Sequence, residues 1–331
     1  MAAERKVGSD QPDPGTRPEP RFFYGGQAVI EGVLIRGRRF SSVVVRRPDG
    51  QIAIQVSPLS TVYTGPIRRV PLVRGVVVLA ETLVLGTRAL MYSANVSIGQ
   101  EGKEMSRWSM AVTMAISLGF AIGIFFLLPL LVASLFQGLL GEGVGGDILF
   151  NVVEGGVRLT LFLGYVWGIG FIPDIRRVFA YHGAEHMTVK AYEANDPLET
   201  AHIRKYSTAH PRCGTAFLLV VMVIAILVFA FFGRPPIFWL VLSRLVLVPV
   251  IAGMAYEVIR FSGGHQNSAL VRLIVAPSLM LQALTTRQPD DDQIEVAVLA
   301  MRTTLAADQG QALPSAGESG TKEARPETET H

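Results

Sequence analysis

The segment WSMAVTMAISLGFAIGIFFLLPLLVASLF, residues 108–136, decides the fold class of this 331-residue chain. It contains no charged side chain and is longer than the roughly 20 apolar residues that a transmembrane helix needs. Over the whole chain only 17% of residues are charged and the mean hydropathy is +0.38, whereas soluble domains carry about 25% charged residues. The sequence therefore predicts an integral membrane protein.

Three further segments are predicted to cross the bilayer, and two of them contain charged residues. Glu154 and Arg158 lie four residues apart, so on a helix they share a face and are able to pair. Arg244 has no acidic residue within one helical turn, and it could reach Glu154, a phosphate-bearing ligand or a lipid head group. The three segments are 149–172, 214–233 and 236–258.

The distribution of Lys and Arg predicts the orientation of the chain. Residues 1–107 contain fifteen of them and residues 173–213 contain six more, whereas residues 137–148 contain none. Because basic residues stay on the cytoplasmic side, we expect both termini and the 173–213 loop in the cytoplasm. The prediction is a multi-pass protein of the inner (plasma) membrane, in contact with membrane lipid.

Composition also excludes several classes of protein. Cys213 is the only cysteine, so no intramolecular disulfide is possible. The net charge of +3 is small and dispersed, which argues against a nucleic-acid partner. Residues 1–21 lack the apolar core of a signal peptide and are predicted to be a disordered leader. Residues 308–331 are predicted to be a disordered tail.

A small β-containing cytoplasmic unit is predicted over residues 22–69. Within residues 40–56, two β-rich runs flank Pro48-Asp49-Gly50, where Pro fixes φ and Gly permits an unusual one. This pattern predicts a β-hairpin. The preceding segment GGQAVIEGVLIRG, residues 25–37, adds either a strand or a tight loop bounded by glycines.

Two other regions are apolar but interrupted by charge or proline. Residues 70–94, within the region 70–107, predict an interfacial or re-entrant helix, because charged side chains argue against a clean span. Residues 259–307 predict cytoplasmic or interfacial helices. The last of these begins after Pro-Asp-Asp-Asp, residues 289–292, and is amphipathic. The charged residues within 70–94 are Arg74, Glu81 and Arg88.

The stretch AYHGAEHMTVKAYE, residues 180–193, has the residues of a metal site. On a helix, His182 and His186 lie one turn apart on one face, Glu193 continues that face, and Glu185 lies beside it. Two histidines in this spacing are a clamp for a divalent metal. The pattern His-x-x-Glu-His also matches inverzincins, in which the glutamate activates water. The alternative is a helix surface with partly exposed histidines.

A second motif, HPRC, places His210 and Cys213 at the spacing of paired zinc ligands. The alternative for Cys213 is a small apolar residue that opens the third span. For His202, between the two motifs, solvent exposure is the favoured interpretation. Glu257, at the cytoplasmic end of the fourth span, is either a distant ligand, as in inverzincin-like sites, or a salt-bridge partner of Arg260.

The number of ligands decides what such a centre does. The expected cofactor is a divalent metal, with zinc as the candidate that fits His and Cys ligands. If His182, His186, His210 and Cys213 all bind, the coordination sphere is full, which is the structural arrangement. If only three bind, one position stays open for water and Glu185 is the candidate catalytic base. The sequence leaves both possibilities open.

Several motifs occur in order between about residues 22 and 302: GGQAVIEGVLIRG, LVRGVVVLAETLVLGTRALMYSA, YHGAEH, HPRCGT, YEVIR and QALTTRQPDDDQIEVAV. Together they resemble the YqhQ-like family of bacterial multi-pass membrane proteins. The resemblance implies a metal-dependent membrane protein of unknown function, and it brings no substrate or reaction. The residues that carry the implied metal dependence match here as His182, Glu185, His186, His210 and Cys213.

The expected architecture is mostly α: a polytopic membrane helical bundle of about four transmembrane helices. It carries a small N-terminal β-hairpin unit and a cytoplasmic helical metal-site loop. One expected function is a metal-dependent hydrolase that acts on a peptide, a lipid or a lipid-linked precursor. Basic residues near the membrane would suit a phosphate group: Arg176, Arg177, Arg212 and Arg260.

A second expected function is a non-catalytic scaffold or assembly factor with a closed metal site. Its N-terminal hairpin and its C-terminal amphipathic helix, about residues 291–307, would then dock a protein partner. A transporter is the weakest alternative, because no inverted repeat is visible in the sequence. The sequence does not predict an oligomeric state.

Overall fold

The computed structural model describes residues 22–61, 65–98, 107–141, 143–210, 213–233, 235–265 and 268–314. The strands are β1 (Gly25–Val29), β2 (Gly32–Arg36), β3 (Phe40–Arg46) and β4 (Ile52–Pro58). The helices are α1 (Val73–Ser97), α2 (Arg107–Ile122), α3 (Leu128–Leu135), α4 (Gln137–Leu140), α5 (Gly143–Ile169), α6 (Pro173–Glu193), α7 (Thr200–Ile203), α8 (Gly214–Ala230), α9 (Ile237–Gly264), α10 (Ala269–Thr285) and α11 (Asp291–Gln309). A π-helical turn, Gly123–Leu127, joins α2 to α3. The predicted leader, residues 1–21, lies outside the described residues.

The strands form one antiparallel sheet in the order β1-β2-β3-β4. The predicted hairpin is confirmed, since β3 and β4 pair around Pro48-Asp49-Gly50 and Gly50 has a φ of 84°. The preceding glycine-bounded segment forms a second hairpin, in which β1 and β2 pair directly. The N-terminal unit is therefore a four-stranded sheet rather than a hairpin alone.

Both faces of the sheet are buried, which explains why its strands are so apolar. Side chains alternate along a strand, so Val33 and Ile35 of β2 point to one face and Leu34 points to the other. The first face packs against α6 and α11, in a core that includes Met187 and Met301. The second face packs against the C-terminal half of α1, through Leu85, Ala89, Tyr92 and Val96.

Helix α11, which the sequence offered as a docking surface, packs its apolar residues in the core. Its predicted acidic cap is confirmed: the Asp290 side chain accepts a hydrogen bond from the Gln293 N–H at 2.9 Å, and the Gln293 side-chain oxygen accepts one from the Asp290 N–H at 3.0 Å. The apolar residues from Ile294 to Met301 are almost fully buried between the sheet and α6. The surface assigned to a protein partner is therefore covered by the chain itself.

Asp308 lies in the last turn of α11 and holds the turn between β2 and β3, although the sequence placed it in the disordered tail. Its carboxylate accepts hydrogen bonds from the backbone N–H groups of Arg38, Arg39 and Phe40, at 2.6, 2.9 and 3.1 Å. It also accepts one from the Tyr24 hydroxyl at 3.0 Å. The ordered unit therefore extends past the predicted boundary.

We expect Asp308→Asn to destabilise the protein by about 2–3 kcal/mol, because an amide turns one charged acceptor into a donor that faces backbone N–H groups. Thermal unfolding in detergent, followed by intrinsic fluorescence, measures the effect as a lower unfolding temperature. Asp292→Asn is the matched control, since Asp292 is an exposed residue of the same helix. Equal unfolding temperatures for the two variants would contradict the assignment.

Four helices within the described residues are long and apolar enough to cross a membrane: Val73–Ser97, Ala111–Leu135, Gly143–Ile169 and Phe238–Ser262. The last three overlap predicted spans. Helix α8, predicted as a span over 214–233, is apolar but has only 17 residues. The remaining helix long enough to cross a membrane is α1, which the sequence assigned to an interfacial or re-entrant position.

Two of the three charged residues of α1, Arg74 and Glu81, pair with residues far away in the sequence. Glu81 is 3% exposed and forms a salt bridge of 2.9 Å with Arg36 of β2. Arg74 pairs with Glu257 of α9. Because these partners come from other elements, the charges of α1 carry less weight against a span than its sequence indicated. The N-terminal half of α1 lies on α9, and its C-terminal half lies on the sheet.

Candidate metal centre

Helix α6 presents the histidine motif, which the sequence analysis placed on a helix. It begins at Pro173, with Asp174 in the first turn, and ends at Glu193, with Lys190 in the last turn. These residues suit the two ends of a helix dipole. Its residues 183–189 are buried between the sheet, α11 and the end of α10. The motif is therefore part of the core and not an exposed helix surface.

Three side chains converge at this point: His182, His186 and Cys213. Their potential ligand atoms all lie within 4.8 Å of one another. The His182 Nε2 atom lies 3.2 Å from the Cys213 sulfur, and the two imidazole centroids are 4.3 Å apart. His186 and Cys213 are buried, whereas His182 is partly exposed. Access to the cluster is therefore on the His182 side.

The hydrogen bonds fix the tautomer of both histidines. His182 Nδ1 lies 2.9 Å from the Thr285 carbonyl oxygen, and His186 Nδ1 lies 2.5 Å from the Thr208 carbonyl oxygen. A carbonyl only accepts hydrogen bonds, so each Nδ1 carries the proton. Each Nε2 is left with a lone pair, which is the usual form of a metal-ligating histidine.

Gly183 allows the segment that contains Thr285 to approach α6 closely. An added Cβ at Gly183 would lie 2.2 Å from the Arg287 carbonyl oxygen. The Arg287 N–H also donates a hydrogen bond of 2.9 Å to the Phe179 carbonyl, just before the start of the motif at His182. The glycine in HGAEH thus has a packing reason, and the sequence motif alone did not reveal it.

Cys213 is the N-cap of α8 rather than an apolar residue at the start of a span. Its sulfur accepts a hydrogen bond from the Thr215 N–H at 3.4 Å and lies 3.1 Å from the Thr215 hydroxyl. Thiolate sulfur is a common ligand of zinc, and the cap position holds the Cys213 sulfur beside the two imidazoles. Cys213 is therefore suited to be a metal ligand.

Glu185 lies beside the cluster, as the sequence predicted. It is 4% exposed, and its Oε2 atom is 3.5 Å from His186 Nε2. Burial raises the pKa of the Glu185 carboxyl, although the nearby His182 and His210 and a backbone hydrogen bond from Gly26 oppose this shift. A carboxyl with a raised pKa beside potential metal ligands is typical of a proton-transfer residue.

The fourth predicted ligand, His210, lies next to the cluster but outside the set of three. Its ring centroid is 5.5 Å from that of His186, and its Nε2 atom is 3.6 Å from Glu193 Oε2. Gln282, which is fully buried, bonds both the N–H and the carbonyl of His210, at 2.7 and 2.8 Å. Glu193 therefore faces the histidines as predicted, and its nearest imidazole is that of His210.

Glu257, the distant ligand that the sequence offered, is paired with Arg74 and is not one of the three clustered residues. Its carboxylate accepts hydrogen bonds from Arg74, with one of 2.7 Å from Nε, and from the Leu72 N–H at 3.1 Å. The salt bridge is therefore to α1 and not to Arg260, and it occupies both carboxylate oxygens. His202, for which the sequence favoured solvent exposure, is partly exposed: 43% of its side chain is accessible.

The three donors fit a divalent metal such as zinc. In a tetrahedral zinc site with bond lengths of about 2.0–2.3 Å, ligand atoms lie roughly 3.3–3.6 Å apart. The separation of His182 Nε2 and Cys213 Sγ is already close to this range, and small rotations would bring in His186. Two imidazoles and one thiolate are common zinc ligands, and three protein ligands leave a position for water.

Sequence reasoning missed the residues that orient the ligands. Thr208 and Thr285 act through their backbone carbonyls, which have no sequence signature. Gln282 lies in a segment expected at the membrane surface. Gly26 of β1 lies against Glu185. The adjacent glycines Gly25 and Gly26 were the only sign in the sequence of this close approach.

Comparison with known proteins gives a family but no activity. A family model described as "Protein of unknown function (DUF1385)" matches residues 70–307. The chain is 31% identical over 296 residues to "Uncharacterized protein YqhQ" of Bacillus subtilis (strain 168), which covers 85% of this chain and 92% of that protein. No solved structure matches. The resemblance drawn from the motifs is confirmed.

Proposed function

The chain belongs to the DUF1385 family of YqhQ-like proteins, and we propose that it is a membrane-bound, zinc-dependent hydrolase. The observation that carries the proposal is the convergence of His182, His186 and Cys213 with Glu185 beside them. The centre lies where α6 meets the membrane-type helices, and we place it at the cytoplasmic face of the inner membrane. Both termini are then cytoplasmic, as the basic residues indicate.

Three protein ligands and one open position are the arrangement of catalytic zinc sites. When bound, such a metal lowers the pKa of a water ligand and polarises a carbonyl or phosphoryl oxygen. Glu185 accepts the proton of the attacking water and then delivers it to the leaving group. The two backbone carbonyls hold the imidazoles in their tautomer and orientation, so the ligands need no rearrangement during turnover.

The surroundings of the centre restrict how a substrate reaches it. Arg177 is engaged by a two-pronged ion pair with Glu31, through bonds of 2.6 Å to each carboxylate oxygen. Arg176 and Arg260 are exposed and remain candidates for a phosphate group. Arg212 lies outside the described residues. A peptide, a lipid or a lipid-linked precursor that enters along the membrane surface fits this arrangement.

A second candidate function is a scaffold with a closed, structural metal site. The observation in its favour is that the imidazole centroids of His210 and His186 are 5.5 Å apart, so a small movement would supply a fourth ligand. Such a site would tie α6 to the start of α8. We rank it below the hydrolase because Gln282 holds the backbone of His210 on both sides, away from the set of three.

Metal content tests the proposal. We expect protein purified without chelators to contain about one equivalent of zinc, and His186→Ala to contain at least tenfold less. His202→Ala is the matched control, because His202 is exposed on the neighbouring α7, and it should retain the metal. Elemental analysis by mass spectrometry measures both. A metal-free wild-type protein, or equal metal in both variants, contradicts the site.

X-ray absorption at the zinc edge separates the two candidate functions. The hydrolase requires two nitrogen ligands, one sulfur ligand and one oxygen ligand, whereas the closed site requires three nitrogens and one sulfur. His210→Ala provides the matching variant. It should leave the spectrum unchanged for the hydrolase and alter it for the scaffold.

A further inference from the structure

A second cluster of charged side chains lies inside the helical bundle, away from the metal centre. Arg244 of α9 bonds Glu154 of α5 at 2.6 Å and the Asn151 side-chain oxygen at 3.0 Å. Arg158, one turn along α5, bonds the other oxygen of Glu154. Both pairings that the sequence allowed are thus present, and they share a single carboxylate.

The charges in this cluster do not balance. Two arginines and one glutamate leave one net positive charge, and Arg244 and Glu154 are only 6% and 2% exposed. Within the described part of the chain, the Nε and Nη1 atoms of Arg244 are buried and have no hydrogen-bond acceptor. The guanidinium lies 4.2 Å from the centroid of the Phe229 ring. A buried cation with unmet donors favours a bound anion.

The neighbouring π-helical turn contributes to the same region. A π-helical turn inside an α-helix displaces a carbonyl from the regular hydrogen-bond ladder and often occurs at functional sites. Here the Phe125 carbonyl accepts a hydrogen bond of 2.7 Å from Arg158 Nε. Arg158 is thereby held by two protein groups, which leaves Arg244 as the arginine with free donor capacity.

An apolar groove of about 690 Å³ opens beside this cluster, and Arg244 itself is not among the residues that line it. Its lining includes Phe150, next to Asn151 on α5, and Leu240, one turn before Arg244 on α9. Leu127 and Leu131 form the opposite wall and are 56% and 57% exposed. The groove is therefore continuous with the outer, lipid-facing surface of the apolar helices.

We propose that this groove binds an anionic phospholipid, with an acyl chain along its leucines and the phosphate on Arg244. Charge complementarity favours an anionic head group, and the apolar entrance favours a lipid over a soluble phosphate. The site is distinct from the metal centre. Arg244 contacts Phe229 near the end of α8, and Cys213 caps its start, about 24 Å away at 1.5 Å per residue.

Native mass spectrometry of the full-length protein in mild detergent tests the proposal, with phosphatidylglycerol and phosphatidylcholine as probes. We expect the wild-type protein to retain phosphatidylglycerol about tenfold better than phosphatidylcholine, the effect of one charge-assisted hydrogen bond. Arg244→Gln should remove this preference. Arg177→Gln is the matched control, since Arg177 lies on α6 and pairs with Glu31, and it should keep the preference.

Three further measurements test the proposal even if Arg244→Gln does not fold. Glu154→Gln removes the competing carboxylate, so retention of phosphatidylglycerol should rise severalfold. Equal retention of the two lipids by the wild-type protein overturns the proposal. Displacement of phosphatidylglycerol by millimolar inorganic phosphate also overturns it, because the site would then take a soluble anion.

Discussion

Glu185→Gln should abolish hydrolysis while the protein keeps its full metal content. The amide cannot accept the proton of the attacking water, and loss of a general base lowers the rate by at least about 100-fold. None of the three ligands changes, so the zinc content stays at the wild-type value. Because the pKa of Glu185 is raised by burial, a neutral amide is tolerated there and the unfolding temperature should not fall.

The measurement is a substrate screen with the purified protein in mixed micelles. Fluorogenic peptides, phospholipids and lipid-linked diphosphates represent the three proposed substrate classes, and the class that the wild-type protein hydrolyses is used for the variant. Glu199→Gln is the matched control, because it makes the same change at an exposed side chain, the N-cap residue of the neighbouring α7. Loss of zinc in Glu185→Gln would show that the carboxylate holds the metal and is not the base.

Gly26→Val should impair both stability and activity, although Gly26 is far from the histidine motif in sequence. A Cβ at this position would lie 2.4 Å from the Leu34 carbonyl oxygen and 2.9 Å from Glu185 Cγ. Overpacking of this kind costs about 1–3 kcal/mol. It also displaces Glu185, and misplacement of a catalytic group by about 1 Å lowers the rate by roughly 100-fold.

Gly25→Val is the matched control for this experiment. It makes the same substitution one position earlier, where an added Cβ has nothing within 4 Å. Thermal unfolding, zinc content and hydrolysis are measured for both variants. We expect Gly26→Val to keep its zinc, because the three atoms nearest the added Cβ belong to Leu34, Glu185 and Ile35 and none belongs to a proposed ligand. Equal activity of the two variants would mean that β1 does not position Glu185.

The contact between Gly26 and Glu185 links the sheet to α6. The N-terminal unit is joined to the membrane-type helices by α1, whose two halves lie on the sheet and on α9. It also packs over Glu185 through Gly26, and Glu185 is 4% exposed. The sheet therefore forms one wall of the candidate centre, a role that a docking hairpin would not have.

The sequence by itself determined the features that depend on neighbouring residues. The helix that carries the histidine motif, the shared face of His182, His186 and Glu193, and the turn at Pro48-Asp49-Gly50 all follow from local periodicity and turn chemistry. The acidic cap of α11 follows from a short motif in the same way. The apolar runs also made membrane-type helices predictable, because their length and composition are properties of single segments.

Only the tertiary structure decided which distant groups meet. Glu257 pairs with Arg74 rather than with a metal, and the apolar face of α11 is covered by the sheet and α6. Cys213 joins the two histidines, while His210 is held aside by Gln282. A side chain has the same local pattern whether it faces water, lipid or another element. Its partner is set by how the elements pack, and that information is not present in any one segment.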